Sequence, residues 1–225
     1  MCGRFIQKED SPEFLEGLID NLKMGNIIPS FNIAPTHPIL TIFKNESGGN
    51  SGAYFHWGLI PGWSKNKAIG GKMINARLET LTERPSFKNL IKSKRCLVPL
   101  SGFYEWVQEG ESKHPYFFRF NRPTVFFAGL WDTWTSSEGT IINSVTLITR
   151  EADSVMNEYH RRMPALLHDP SQLSHWLDID QTNALAAIEI VKASPPLKMI
   201  IEQVSPFVNS PKNNSLQCID PLVRT

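Results

Sequence analysis

The sequence predicts an α+β domain: a curved, barrel-like, mainly antiparallel sheet flanked by helices. Three observations carry this. Seven short apolar runs rich in β-formers are punctuated by Gly, Pro and Asn, five separate stretches show helical spacing, and no long linker, charged tail or internal repeat divides the 225 residues. The whole chain, 1–225, is therefore expected to form one domain. With 41% hydrophobic and 20% charged residues it has enough apolar surface to bury a core, which excludes a disordered chain.

In chain order, Ser11-Pro12-Glu13 offers an N-cap, a proline at the first helical position and an early acid. Phe14, Leu15, Leu18, Ile19 and Leu22 follow at helical spacing, so a helix is expected there. Strands are expected at 39–43, 53–60, 96–100, 103–107, 116–120, 125–130 and 144–149. Helical patterns return at 86–94, 152–159, 171–177 and 183–191, each near an Asp, Ser or Pro that can start it. The stretch 46–52 reads as a hairpin loop, and the Pro- and Asn-rich tail from Ser205 as irregular wrapping.

No apolar run approaches the roughly 18 residues of a membrane span, and Met1-Cys2-Gly3-Arg4-Phe5 does not resemble a signal peptide. A cytoplasmic protein is expected, nucleoid-associated if bacterial. Cys2, Cys96 and Cys218 are an odd number at long spacing, which suits neither a disulfide framework nor a zinc site. The spacing of His37, His56, His114, His168 and His175 suggests no metal, and no Gly-rich phosphate loop, Gly-x-Ser-x-Gly or His-Glu-x-x-His pattern is present. No metal or cofactor is expected. Without a heptad repeat or an apolar interface stripe, a monomer is expected.

The net charge of +1 hides a segregation: residues 60–100 hold nine bases against two acids, leaving the remainder at −6. A local excess of that size can attract a polyanion. Trp57, Pro61 and Trp63 lie just ahead of the first of these bases, Lys65, and aromatic rings beside bases suit unstacked single-stranded nucleic acid, although core tryptophans and a solvated lysine-rich face fit the same pattern.

Four residue types carry candidate chemistry. Removal of Met1 would leave Cys2 as a 1,2-aminothiol whose amine and thiol ordinarily titrate near 8 and 8.5, so both are usable near neutrality. An amine at that position attacks an aldehyde to form an imine, and the adjacent sulfur can close a five-membered ring. Glu105 lies in Gly102-Phe103-Tyr104-Glu105-Trp106, where strand alternation sets it on the face of Phe103 and opposite Tyr104 and Trp106. An inward face would desolvate the carboxyl and suit it to proton transfer, whereas an outward face leaves an ordinary solvated Glu. His160 falls at the expected end of the 152–159 helix, before Pro164, and its neighbours Arg161 and Arg162 could hold a phosphate beside it. Asn75 reads as either a turn residue or an orienting amide.

The ordered motifs Met1-Cys2-Gly3-Arg4-Phe5, Asn32-Ile33-Ala34-Pro35, Trp57-Gly58-Leu59-Ile60-Pro61 and Asn75-Ala76-Arg77-Leu78-Glu79-Thr80 run through the first third of the chain. Arg95-Cys96-Leu97-Val98-Pro99, Gly102 to Trp106, Ala128-Gly129-Leu130-Trp131, His160 to Pro164 and Val204 to Asn209 continue them. Together they resemble the SOS response-associated peptidase-like (SRAP) family almost end to end. The resemblance implies a protein that shields abasic sites in single-stranded DNA through a thiazolidine formed by Cys2. By the same resemblance, Asn75 orients Cys2, Glu105 shuttles protons and His160 assists sugar-ring opening. Arg4, Arg77 and Arg162, and more weakly Arg161, look like phosphate ligands, while Pro35 and Trp63 look like the surface that splays or stacks bases. Ser64 stands where relatives can carry an aromatic residue, which implies a wedge that is weaker or built differently. The competing readings are a cysteine peptidase using Cys2, His160 and Glu105 or Asn75, a noncovalent reader of modified or single-stranded DNA, and a purely structural domain.

Overall fold

The computed structural model describes residues 2–8, 18–19, 28–121 and 125–222. The helix expected after Ser11 lies outside the described residues apart from Leu18 and Ile19, of which Ile19 is buried against the strands.

Five strands close into a barrel. They are β3 (Pro38–Lys44), β4 (Asn50–Trp57), β6 (Arg95–Leu100), β9 (Val125–Thr135) and β10 (Ile141–Glu151). Strand β4 pairs with β3, β3 with β6, β6 with β9 and β9 with β10, all antiparallel, and β10 returns to β4 in parallel register at Val145 and Trp57. The curved, mainly antiparallel sheet expected from the sequence is thus a mixed barrel. Short strands extend it: β5 (Asn75–Arg77) lies parallel to β10, β11 (Arg162–Pro164) antiparallel to β10, and β12 (Leu166–Leu167) antiparallel to β9.

A second, antiparallel sheet runs in the order β13 (Met199–Gln203), β8 (Ser112–Phe120), β7 (Gly102–Glu109), β1 (Phe5–Gln7), β2 (Ser30–Ile33). The helices described over their whole length are α1 (Leu90–Ser93), α2 (Pro170–Leu177) and α3 (Ala184–Lys192).

Local chemistry fixes the connections. In the β3–β4 turn the Asn45 carboxamide oxygen accepts from the N–H groups of Ser47 and Gly49, and Gly48 supplies the positive φ of 83°. Asp169 caps α2 by accepting from Ser171 and Gln172, and Asn183 caps α3 by accepting from Ala186. The strand expected over 53–60 stops at Trp57 because Gly58 adopts φ 130°, and a Cβ there would meet the Gly70 carbonyl oxygen at 2.6 Å.

Alternation sorts the core. Ile39, Phe55, Trp57, Cys96, Val98, Phe127, Val145 and Leu147 join one cluster, while Leu40, Ile42, Leu97, Phe126, Ala128 and Ile148 join another that includes residues of all three helices. Helices cannot fit inside five strands, so the first set is the barrel interior and the second its helix-covered exterior. Phe5 enters the interior cluster edge-on to Trp57 and Phe127, at centroid distances of 5.1 and 5.2 Å. The chain's first strand therefore plugs the barrel.

Two helix expectations are corrected. The stretch 152–159 forms only a 3₁₀ turn, Met156–Glu158, within a connection whose two ends are held side by side by the pairing of Glu151 with Arg162. Pro164 accordingly lies in a strand and not after a helix end. Over 86–94, only Leu90–Ser93 is α-helical, and turns precede it.

Candidate active site

Cys2 is 1% exposed and shares the interior cluster with Phe5, Trp57 and Phe103. Asn75 Nδ2 donates to its carbonyl oxygen at 2.9 Å. Pairing to β10 at Leu147 fixes the Asn75 backbone, so a carboxamide on a barrel strand grips the backbone at Cys2. Burial pushes the Cys2 thiol well above its ordinary pKa, and the charge of Glu105 pushes the same way.

Glu105 sits on β7 opposite Tyr116 and is 6% exposed. Its face is the inward one, with Phe103 in the interior cluster and Tyr104 in a separate cluster on the opposite side. The solvated alternative is thereby excluded. Burial raises the Glu105 pKa, and neighbouring positive charge, His160 included, opposes the rise. His160 follows the 3₁₀ turn, with its main-chain N–H donating to Met156 at 2.8 Å. Beside it, Tyr159 lies edge-on to Tyr116 and Phe118, each at 5.1 Å, which anchors this loop to β8. Residues 2, 75, 105 and 160 thus converge from four separate segments.

The arginines divide into two kinds. Arg4 Nη1 donates to Asn32 Oδ1 at 2.7 Å and to the Val208 carbonyl at 3.0 Å, and its guanidinium lies 5.4 Å over the Trp106 ring. Burial lowers its pKa. Arg162 donates from Nη1 and Nη2 to the two Glu79 carboxylate oxygens, each at 2.9 Å, and from Nη2 to the Thr149 carbonyl at 2.7 Å. Arg77 and Arg161, by contrast, are exposed.

Pro35 is half-buried in the turn before Thr36, whose N–H donates to the Trp57 carbonyl at 2.8 Å. Trp63 is 65% exposed, and with Lys65, Asn66, Ile69 and Lys72 it lines an open pocket of about 580 Å³. Trp57, in contrast, is wholly buried, with its indole N–H donating to Ile74 at 3.0 Å.

The basic count over 60–100 overstates the surface charge. Arg95 is 1% exposed and donates to the carbonyls of Ile91, Trp176, Asp178 and Thr182, tying the barrel to α1 and α2.

Two supporting residues had no role assigned from sequence. Asn32 is buried and donates from Nδ2 to the carbonyls of Val208, Ser210 and Asn213, so it locks the C-terminal segment against Arg4. The signal was a poor strand former between Phe31 and Ile33. Glu79, which grips Arg162, stands in the sequence as one of two acids in a basic stretch and as a member of the Asn75 to Thr80 motif, with nothing to link it to Arg162.

Among the described residues no cluster of three His, Cys, Asp or Glu side chains could hold a metal ion, and no helix is long and apolar enough to cross a membrane.

A closed barrel with a cysteine, a carboxyl and an imidazole gathered where the N-terminal strand enters it defines the class of protein. The sequence model of the SOS response associated peptidase (SRAP) family matches residues 1–211, and the chain belongs to that family. Its relatives include abasic site processing protein YoqW of Bacillus subtilis (strain 168), 39% identical over 224 residues covering 98% of this chain and 99% of that protein. Abasic site processing protein HMCES of Gallus gallus is 30% identical, over 89% of this chain and 68% of that protein. Among solved structures, a Bacteroides thetaiotaomicron protein matches with a TM-score of 0.73 at 26% identity, covering 96% of this chain and 92% of that one. A phage-related protein of Bordetella bronchiseptica matches with a TM-score of 0.72 at 31% identity, covering 90% of this chain and 94% of that one.

Proposed function

We propose that this protein links itself covalently to abasic sites in single-stranded DNA through Cys2, forming a thiazolidine that shields the lesion. Met1 must first be removed, because an amide nitrogen cannot form an imine. That cleavage is assigned to the same site acting on itself. The freed Cys2 amine attacks the aldehyde carbon, and the carbinolamine loses water to give an imine. The Cys2 sulfur then adds to the imine carbon while its proton passes to nitrogen, so the net change is loss of one water.

The convergence of Asn75, Glu105 and His160 on Cys2 is the observation that carries this reading. Burial raises the Glu105 pKa, which shifts the carboxyl toward the protonated form that departure of water requires. Asn75 Oδ1 is buried without a hydrogen-bond partner, which leaves an acceptor for the liberated amine. His160 would donate to the ring oxygen as the sugar opens. The imine acidifies the adjacent carbon, so strand-breaking β-elimination competes with ring closure as a lyase side reaction.

Affinity would come from phosphates, bound by the exposed Arg77 and Arg161 and by Arg4 and Arg162, which would share Asn32 and Val208 or Glu79 with the DNA, and from bases splayed over Pro35 and stacked on Trp63. Neither metal nor cofactor is needed. The protein would act as a monomer in the cytoplasm, at the nucleoid in a bacterium.

A general cysteine peptidase fits less well, since such enzymes depress the thiol pKa to hold a thiolate and here burial raises it. The test is to mix processed protein with an abasic oligonucleotide, boil, and resolve by denaturing electrophoresis and intact mass. The expected product is a heat-stable adduct lighter than its parts by one water and absent in Cys2→Ser. A wild-type protein that leaves no adduct would refute the reading in favour of a noncovalent reader, and steady peptide turnover lost in Cys2→Ala would favour the peptidase.

A further inference from the structure

We propose that Glu79 is a positioning residue that acts through Arg162 to hold the neutral His160 ring with its proton on Nε2. The inference rests on the function proposed above, because it concerns how His160 presents a proton to the sugar.

The main-chain N–H of Arg162 lies 2.9 Å from His160 Nδ1. A peptide N–H can only donate, so Nδ1 must offer its lone pair and the single proton of the neutral ring sits on Nε2. Neutral His160 is therefore a donor, not a base, at its Nε2 edge. The same Nδ1 lies 3.1 Å from the Arg162 carbonyl oxygen.

This works only if the Arg162 backbone stays in place, and β11 is only three residues long, paired to β10 at Thr149, Arg150 and Glu151. The Glu79 carboxylate supplies the fastening. It accepts both Nη groups of Arg162 in a planar fork at 2.9 Å and also accepts from the Glu151 N–H at 3.3 Å. Glu79 therefore staples the first residue of β11 to the last residue of β10.

The experiment measures single-turnover adduct formation on an abasic oligonucleotide by wild type, Glu79→Ala, Glu79→Gln, His160→Ala and the Glu79→Ala/His160→Ala double variant. Affinity for an oligonucleotide carrying a tetrahydrofuran abasic analogue, which has no aldehyde, is measured in parallel. Glu79→Ala is expected to slow the reaction roughly tenfold, within the ~100-fold that misplacing a catalytic group can cost. Its affinity for the analogue reports separately on Arg162 as a phosphate ligand, and the substitution should slow the reaction no further in the His160→Ala background. Glu79→Gln, which keeps an oxygen for the Arg162 fork, should recover most of the rate.

Nitrogen-15 spectra of the histidine rings should show His160 protonated on Nε2 in wild type and a mixture in Glu79→Ala. Additive slowing in the double variant, altered analogue affinity at an unchanged rate, or a proton on Nδ1 in neutral wild type would each overturn the proposal. A wild type that forms no adduct would sink the proposed function, while the spectra would still decide the tautomer and its dependence on Glu79.

Discussion

Replacing Asn32 with Ala should loosen the C-terminal segment and the nucleophile together. The side chain makes four contacts: Nδ2 to the carbonyls of Val208, Ser210 and Asn213 at 3.1, 2.9 and 2.7 Å, and Oδ1 from Arg4 Nη1 at 2.7 Å. Nδ2 has only two hydrogens to share among the three carbonyls, so the side chain amounts to two donated bonds and one accepted, and at about 1 kcal/mol net per hydrogen bond the loss comes to about 2–3 kcal/mol. For a chain of this size that corresponds to a fall in melting temperature of about 4–12 °C. Asn32→Asp should be no milder, because it sets an oxygen against the three carbonyls although it keeps Arg4. Thermal melting gives the magnitude, and amide exchange over 206–213 locates it. Adduct formation should slow as well, since Arg4 is two residues from Cys2 and its carbonyl is held by the Tyr104 N–H at 2.9 Å. A melting temperature within about 1 °C of wild type, with exchange over 206–213 unchanged, would refute the clamp.

Three further outcomes follow from the same geometry. Burial raises the Glu105 pKa, so ionisation costs stability once pH climbs through the folded value and costs nothing below the ordinary value of about 4; Glu105→Gln should melt higher than wild type near pH 8, match it near pH 4, and form adduct more slowly, and the opposite ranking at pH 8 would contradict the burial argument. Arg95→Leu strands four carbonyls and should cost about 3 kcal/mol in denaturant unfolding, with Arg95→Lys a poor rescue because one ammonium cannot span the four positions of the fork; a loss under about 0.5 kcal/mol would show the ties to be dispensable. Trp63→Ala, at a position 65% exposed, should leave melting unchanged but cost about 1–3 kcal/mol in affinity for single-stranded DNA, and an unaltered affinity would remove Trp63 from the base-stacking surface.

The strands that alternate or run continuously apolar, such as β3, β6, β9 and the middle of β10, were legible because burial on one or both faces writes itself into residue type. Strands β5, β11 and β12 were not, since they are two or three residues long and exist through pairing with β9 or β10 rather than through propensity. Strand β1 escaped for the same reason, although it carries Phe5 into the barrel. In the site, alternation set Glu105 on the Phe103 side, but only the fold decides that this side is inward. Charge counting failed at Arg95, whose partners are backbone carbonyls and leave no trace in the sequence. The link from Glu79 through Arg162 to His160 spans more than eighty positions, and no local pattern encodes it.

The tie between Arg4 and the Val208 carbonyl joins two ends of the polypeptide 204 positions apart. During synthesis the first residues to leave the ribosome must wait for nearly the last before they acquire their final surroundings. A chain that has not yet reached position 208 lacks this anchor, so the segment that carries Arg4 takes its final setting only after the residues around position 208 have been made.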